Sequence, residues 1–167
     1  MSQETNEEME VLIRSWGLPE AFKEQEDNID YIFDGNISLS KHKQKFYCRN
    51  GEVKFCLYDT RNYNVLFSLE FWKICPEGRV GSLFKEKSMR LNFLYTEDSF
   101  RKKGISTFYI EKIRDYAFGE GIACIFVHPN ANAEDFKDDS KMNALSQDEL
   151  KKFYKKFTND EVIFKLV

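Results

Sequence analysis

The chain has 167 residues, of which 42% are hydrophobic and 32% charged, with only three prolines. That is enough chain for one well-packed core and too little for two full domains. A net charge of −3 provides no global basic field to draw the protein to nucleic acid or to an anionic membrane. No apolar run approaches the ~20 residues of a membrane-spanning helix. The acidic start, Met1 to Leu12, does not read as a secretory signal. Cys48, Cys56, Cys75 and Cys124 lie far apart, so the sequence predicts neither a disulfide framework nor a metal site, and a reducing cytoplasm is expected. Sixteen phenylalanines argue against disorder.

The first forty residues read as helical. Met9, Leu12, Ile13 and Trp16 share one helical face, and Gly17 stops that helix. Pro19 opens a second one through Glu20–Glu26, and a third short turn is expected around Asp30–Phe33, ending at Gly35. Residues 1–42 are thus expected to form a helical cap on a main unit of residues 43–167, or else a separate interaction module.

From Lys43 the period becomes two. Asn50-Gly51 is a two-residue hairpin signal between Phe46–Arg49 and a strand running from Glu52 to Asp59. Asn62–Asn64 reverses the chain into Val65–Ile74, where Val65, Phe67, Leu69 and Phe71 are expected to share a face with Val53, Phe55 and Leu57. After a connection holding Pro76, Gly78 and Gly81, Met89–Thr96 alternates and completes an antiparallel meander. Ile105, Phe108, Tyr109, Ile113, Tyr116 and Ala117 trace an apolar helical stripe that ends at Gly119 and Gly121. Ile122–Val127, apolar on both faces, reads as a central parallel strand. Met89–Thr96, the helix and Ile122–Val127 form one right-handed βαβ crossover. A long polar connection, His128–Leu145, leads to a helix announced by Ser146 and Glu149, a capping box, and the chain closes with a strand over Glu161–Val167. The fold class is therefore α+β, with a mixed, mostly antiparallel central sheet, a βαβ crossover and N-terminal helices.

Phe100-Arg101-Lys102-Lys103-Gly104-Ile105-Ser106-Thr107 joins the meander to the crossover helix. A helix start offers unpaired N–H groups and partial positive charge, Gly104 admits a close approach, and Ser106 or Thr107 could donate to a phosphate oxygen. Read by itself, the segment is either an anion site or an ordinary surface helix with a solvated basic turn. Arg101-Lys102-Lys103-Gly104-Ile105-Ser106 resembles the signature of the GNAT superfamily of N-acetyltransferases, Arg or Gln, any two residues, Gly, any residue, then Gly or Ala. Phe153-Tyr154-Lys155-Lys156-Phe157 is similar to the family's FY-x-x-F helix, and the resemblance spans Phe46–Val167.

The resemblance implies a GNAT-like fold that binds acetyl-CoA, with Arg101, Lys102, Lys103, Gly104, Ile105 and Ser106, and Thr107 beside them, around the pyrophosphate. It implies backbone contacts from Leu94, Tyr95 and Thr96 to the pantetheine arm, in a slot where that strand and the next splay apart. It implies acetyl transfer to a primary amine by direct attack in a ternary complex, with Tyr154 protonating the departing thiolate, although Tyr154 also fits its helix's apolar face. Four features depart from the family. Ser106 stands for the small residue, Glu97-Asp98 follow Thr96 where a Pro is common, Thr158-Asn159 replace a Gly-Phe, and Asn50-Gly51 joins strands that helices usually separate.

A general base must take a proton from the acceptor. Glu70, mid-strand with apolar neighbours, is the first candidate, or is simply solvated on the alternate face; Glu97 and His128 at strand ends are the others, and His42 shows no partner. No nucleophilic triad or metal-ligand spacing appears, so the expected cofactor is acetyl-CoA with no metal. The expected partners are CoA or acetyl-CoA and an unknown amine acceptor, with no nucleic acid and no membrane, and a homodimer left open. The lysines around Tyr154 point outward while the aromatics point inward, which makes them a solvated face rather than a stacking platform. The alternative is a non-catalytic CoA-binding or protein-interaction module of the same fold.

Overall fold

The computed structural model describes residues 6–39, 42–49, 51–74, 87–127 and 147–166. The Asn50 position, the connection with Pro76, Gly78 and Gly81, His128–Leu145 and Ser146 lie outside them. Asn6–Ser15 forms α1, and a 3-10 helix spans Glu20–Asn28 after Pro19. Met9, Ile13, Leu18 and Phe22 are buried, in the same core as the crossover helix. Trp16 lies 6.4 Å from Tyr109, and Phe22 meets Phe100 edge-on at 5.0 Å.

The expected helical turn at Asp30–Phe33 is instead extended. Ile29–Ile32 is strand β1 and Gly35–Leu39 is strand β2. β1 lies antiparallel along Cys56–Asp59, and β2 along His42–Phe46. Pairing with distant backbone decides the conformation here, and four residues of local pattern do not contain that information. The sheet therefore begins inside the segment read as a helical cap.

His42–Arg49 (β3), Glu52–Asp59 (β4), Asn64–Ile74 (β5) and Ser88–Thr96 (β6) form the antiparallel meander. Arg49 faces Glu52 across the hairpin, and Gly51 holds φ +81°, a backbone state that two-residue turns demand. Asp59 fastens the next reversal by accepting from the Arg61 and Asn62 amides at 2.9 and 3.1 Å. Ile105–Gly119 (α2) then leads to Cys124–Val127 (β7), parallel to β6, and Ile163–Leu166 (β8) lies parallel to β7. The fold is α+β, with a mixed, mostly antiparallel sheet of eight strands among the described residues and a βαβ crossover through α2.

Two irregularities change the expected faces. Leu57 pairs with Phe67 but Tyr58 with Val65, so Leu66 is an extra residue. Leu66 joins the main core, and Val65 turns to a second cluster with Phe46 and Cys56. Likewise Glu70 pairs with Phe93 but Phe71 with Leu91, leaving Asn92 extra in β6. Beyond it Leu94 packs on the main core and Tyr95 on the second cluster, opposite to strict alternation from Met89. A bulge adds one residue to one strand and inverts every position after it.

Gln147–Lys155 (α3) lays Tyr154 and Phe157 into the main core, with Lys151, Lys152, Lys155 and Lys156 exposed. Thr158 and Asn159 form the turn into β8. Asn159 Oδ1 accepts from the Glu161 and Val162 amides at 2.9 and 2.7 Å, and Thr158 Oγ1 accepts from the Phe164 amide at 3.0 Å. No helix among the described residues is long and apolar enough to cross a membrane.

The Tyr109 ring stacks on Phe67 at 4.4 Å, yet its hydroxyl is buried and has no hydrogen-bond partner among the described residues. A buried unsatisfied hydroxyl costs about 1–3 kcal/mol. Tyr109→Phe is therefore expected to raise the urea midpoint, by about 1 kcal/mol of stability. Phe67→Ala, which empties the other half of the stack, is expected to cost about 3–5 kcal/mol in the same titration.

Candidate active site

β6 carries the site from one end to the other. Its ladder with β7 runs over Met89↔Ile125, Arg90↔Phe126 and Leu91↔Val127. The bulge at Asn92 follows immediately, and β6 then runs on to Thr96 still paired with β5: Leu69↔Leu94, Ser68↔Tyr95, Phe67↔Thr96. A bulge bends its strand and increases twist, so β6 changes direction where its described pairing with β7 stops.

Past Thr96 the chain makes a 3-10 turn, Asp98–Phe100, then the basic turn and α2. Lys102 holds φ +62° and Gly104 φ +81°, with Lys103 between them on the ordinary side. Such alternation turns successive backbone N–H groups toward one concave side. Gly104 is the residue that caps α2; no side chain caps it, and the first turn contains no acidic residue. The positive pole of this helix is therefore neither capped nor neutralised by its own side chains. A Cβ on Gly104 would meet nothing within 4 Å, so the corner is sterically open.

The remaining signature residues divide between structure and surface. The Arg101 guanidinium donates to the Thr96 carbonyl at 3.1 Å and pairs with Asp98 at 2.9 Å, so it ties the turn to the end of β6. Lys102 and Lys103 are exposed, Lys103 reaching over the Phe100 ring at 5.4 Å. Ser106, in place of the small residue, shares a hydrogen bond with the Thr96 hydroxyl at 3.2 Å. Ile105 is buried in the core, and Thr107 is half-buried. The two carboxylates beside the turn are both engaged. Asp98 faces Arg101, and Glu97 accepts from the Ser99 amide at 3.1 Å and from the Ser99 hydroxyl.

Glu70 is not solvated. It lies on the alternate face, as its position in β5 requires, but at 8% exposure. Its carboxylate accepts from the Tyr47 hydroxyl and from the Asn92 side-chain amide. Burial, followed by the hydrogen bond to Glu70, pushes the Tyr47 phenol well above its ordinary 10. Lys54 stands opposite both residues in the register, and its ammonium donates to Gln44. The hairpin at Gly51 fixes Tyr47 opposite Lys54, so the neighbourhood of Tyr47 and Glu70 follows from register arithmetic. Asn92 enters only through the bulge and has no signal in the sequence.

Tyr154 is 5% exposed, with its ring against Phe153 at 5.2 Å. Burial pushes its phenol well above 10, so it holds its proton at neutral pH. The His42 side chain and His128 lie outside what the structure describes. Among the described residues no group of three His, Cys, Asp or Glu could hold a metal ion.

No family model matches the chain, and no curated protein does. Among solved structures it is similar to an aminoglycoside acetyltransferase, meta-AAC0020, from an uncultured soil metagenomic sample, in complex with trehalose. The identity is 16%, the match covers 87% of this chain and 88% of the other, and the TM-score is 0.41. At that distance no activity or residue role is transferred.

The left-handed backbone at Gly104 and the open space around it separate strain from sterics. Gly104→Ala is expected to cost about 1 kcal/mol by denaturant titration, from the left-handed backbone alone. A loss several times larger would mean that the corner is filled.

Proposed function

We propose that this chain is an N-acetyltransferase, which moves an acetyl group from acetyl-CoA to the primary amine of an acceptor in a ternary complex, without an acyl-enzyme. The observation that carries the reading is the uncapped, sterically open start of α2, beside the end of a strand that a bulge at Asn92 has bent. Open amides at a helix start suit a pyrophosphate. We assign that role to the backbone N–H groups from Lys102 to Ser106, with the Lys102 and Lys103 side chains adding field and Thr107 beside them. Arg101 acts through the turn, which it holds to Thr96 and Asp98. Leu94, Tyr95 and Thr96 pair with β5 on one side, and we assign their other edge to the pantetheine arm.

When bound, acetyl-CoA would supply the acetyl group as a thioester, whose carbonyl is open to an uncharged amine. Of the two described candidate bases we assign Glu70, whose carboxylate Tyr47 and Asn92 hold in direction beside the bulge of β6. Tyr154 is the proposed donor to the leaving sulfur. Its burial favours a second reading, a CoA-binding module without turnover, because a phenol pushed well above 10 gives its proton reluctantly to a leaving thiolate. A reducing, cytoplasmic setting suits Cys48, Cys56 and Cys124, which form no disulfide among the described residues, and belongs to the same proposal, as does a homodimer.

Thermal unfolding with added CoA tests the corner. At about a hundred times its Kd, a ligand bound only to the native state adds about 2.7 kcal/mol. Gly104→Glu places bulk and a negative charge at the proposed pyrophosphate, so it is expected to abolish that shift with only a modest change in the unliganded midpoint. Unaltered CoA affinity in this variant refutes the placement.

Thiol release with an amine panel separates the two readings. Tyr154→Phe is expected to slow release while CoA still stabilises the fold. An unchanged rate removes Tyr154 from the reaction, and no release with any amine favours the module.

A further inference from the structure

Tyr47, Asn92 and Glu70 form a cluster that the resemblance does not provide. The helical residues of the main core all pack on one side of the sheet, whereas the second cluster (Phe46, Cys56, Val65, with Ile32, Ile37, Tyr58 and Tyr95) is built from strands. Glu70 belongs to that second side, through its cross-strand partner Lys54 and the alternation of β5. A carboxylate at 8% exposure needs hydrogen-bond donors, and two neutral ones from two different strands supply them. Tyr47 Oη donates to one oxygen and Asn92 Nδ2 to the other, so both oxygens are fixed in direction. Each carboxylate oxygen has two lone-pair sites, so two donors do not exhaust it.

The bulge gives this cluster its place. Asn92 is the extra residue of β6, and it follows Leu91, the last residue of β6 paired with a described residue of β7. A bulge bends its strand and re-aims a side chain, and here it turns the Asn92 amide to Glu70. Asn92 is exposed, so its hydrogen bond to Glu70 lies at the outer end of the cluster. The carboxylate is thereby held beside the point where β6 bends, on the side of the sheet opposite the described helices.

We propose that Tyr47 and Asn92 are positioning residues, which hold the Glu70 carboxylate where an acceptor entering from the side opposite the described helices delivers its amine. This inference rests on the acetyl-transfer reading. The ammonium gives one proton to Glu70 and becomes a neutral amine. Its lone pair forms the new N–C bond as the C–S bond breaks; Tyr154 gives its proton to the departing sulfur and regains one as the second nitrogen proton is released. Glu70 returns its proton to solvent. The acceptor is accordingly a primary amine that is cationic before it reacts.

The experiment uses the full chain, acetyl-CoA and three probe amines, spermidine, kanamycin and an alanine-terminated peptide, with thiol release as the readout. Tyr47→Phe and Asn92→Ala are each expected to lower kcat about tenfold at saturating amine, since each removes one hydrogen bond to a charged group. The KM for acetyl-CoA and the CoA-induced thermal shift should stay at wild-type values. Glu70→Ala should lose at least a hundredfold in kcat, and added formate should restore part of it, an effect that a merely structural glutamate would not show. Asn92 is exposed, so its variant remains informative should Glu70→Ala fail to fold. Unchanged kcat in Tyr47→Phe and Asn92→Ala, with CoA still stabilising the wild-type chain, overturns this inference and leaves the CoA site standing. No CoA shift in the wild-type chain, or no release with any probe amine, overturns it together with the acetyl-transfer reading.

Discussion

Phe67 ties the two halves of the site together. Its backbone pairs with Thr96 at the end of β6, and its ring stacks on Tyr109, little more than one turn into α2. The strand end and the helix start are thus held by one buried side chain rather than by the exposed turn between them. The hydrogen bond between Thr96 and Ser106 and the Arg101 link to the Thr96 carbonyl span the same gap at the surface. Aromatic stacking contributes about 0.5–1.5 kcal/mol beyond the area it buries, and here it also sets direction. A helix start is useful to an anion only if it points at something, and this packing points it at the end of β6.

Charge at this corner is arranged by subtraction. The sequence places Glu97 and Asp98 beside three cations, which on paper leaves little attraction for a phosphate. In the folded chain Asp98 is matched by Arg101, and Glu97 turns to Ser99. What remains is the charge of two exposed lysines against that of Glu97, and a row of backbone amides. Exposed pairs of this kind contribute little to stability; their effect here is to leave the corner positive.

Much of the architecture was legible because it is periodic. α1, the meander, α2 with its stripe, and the crossover to an apolar strand all follow from repeats of 3.6 or 2, and Asn50-Gly51 set the register of β3 against β4. The parts that escaped have no period. β1 is extended because Ile29–Ile32 finds Asp59–Cys56, a partner far along the chain. The extra residues Leu66 and Asn92 shift the ladder by one each, and nothing in their identity announces it. The position of Glu70 on the second face could be read, but its burial could not, since that depends on Tyr47 and Asn92 from neighbouring strands. The basic turn was legible as a motif, whereas the division of labour within it, Arg101 bracing and Gly104 left open, needed coordinates.

One edge of β4 is shared between two neighbours: β3 covers Glu52–Lys54, and β1 takes over at Cys56–Asp59. The N-terminal segment therefore does more than shield the helices' side of the core; it completes the hydrogen bonding of an inner strand from outside the meander. A chain clipped after β1 would present the bare flank of β4 at Cys56–Asp59, where Cys56, Leu57 and Asp59 are buried in the intact fold. An unmatched apolar strand of that kind templates strand addition from other molecules. β1 thus covers an edge of an inner strand that would otherwise be open to such pairing.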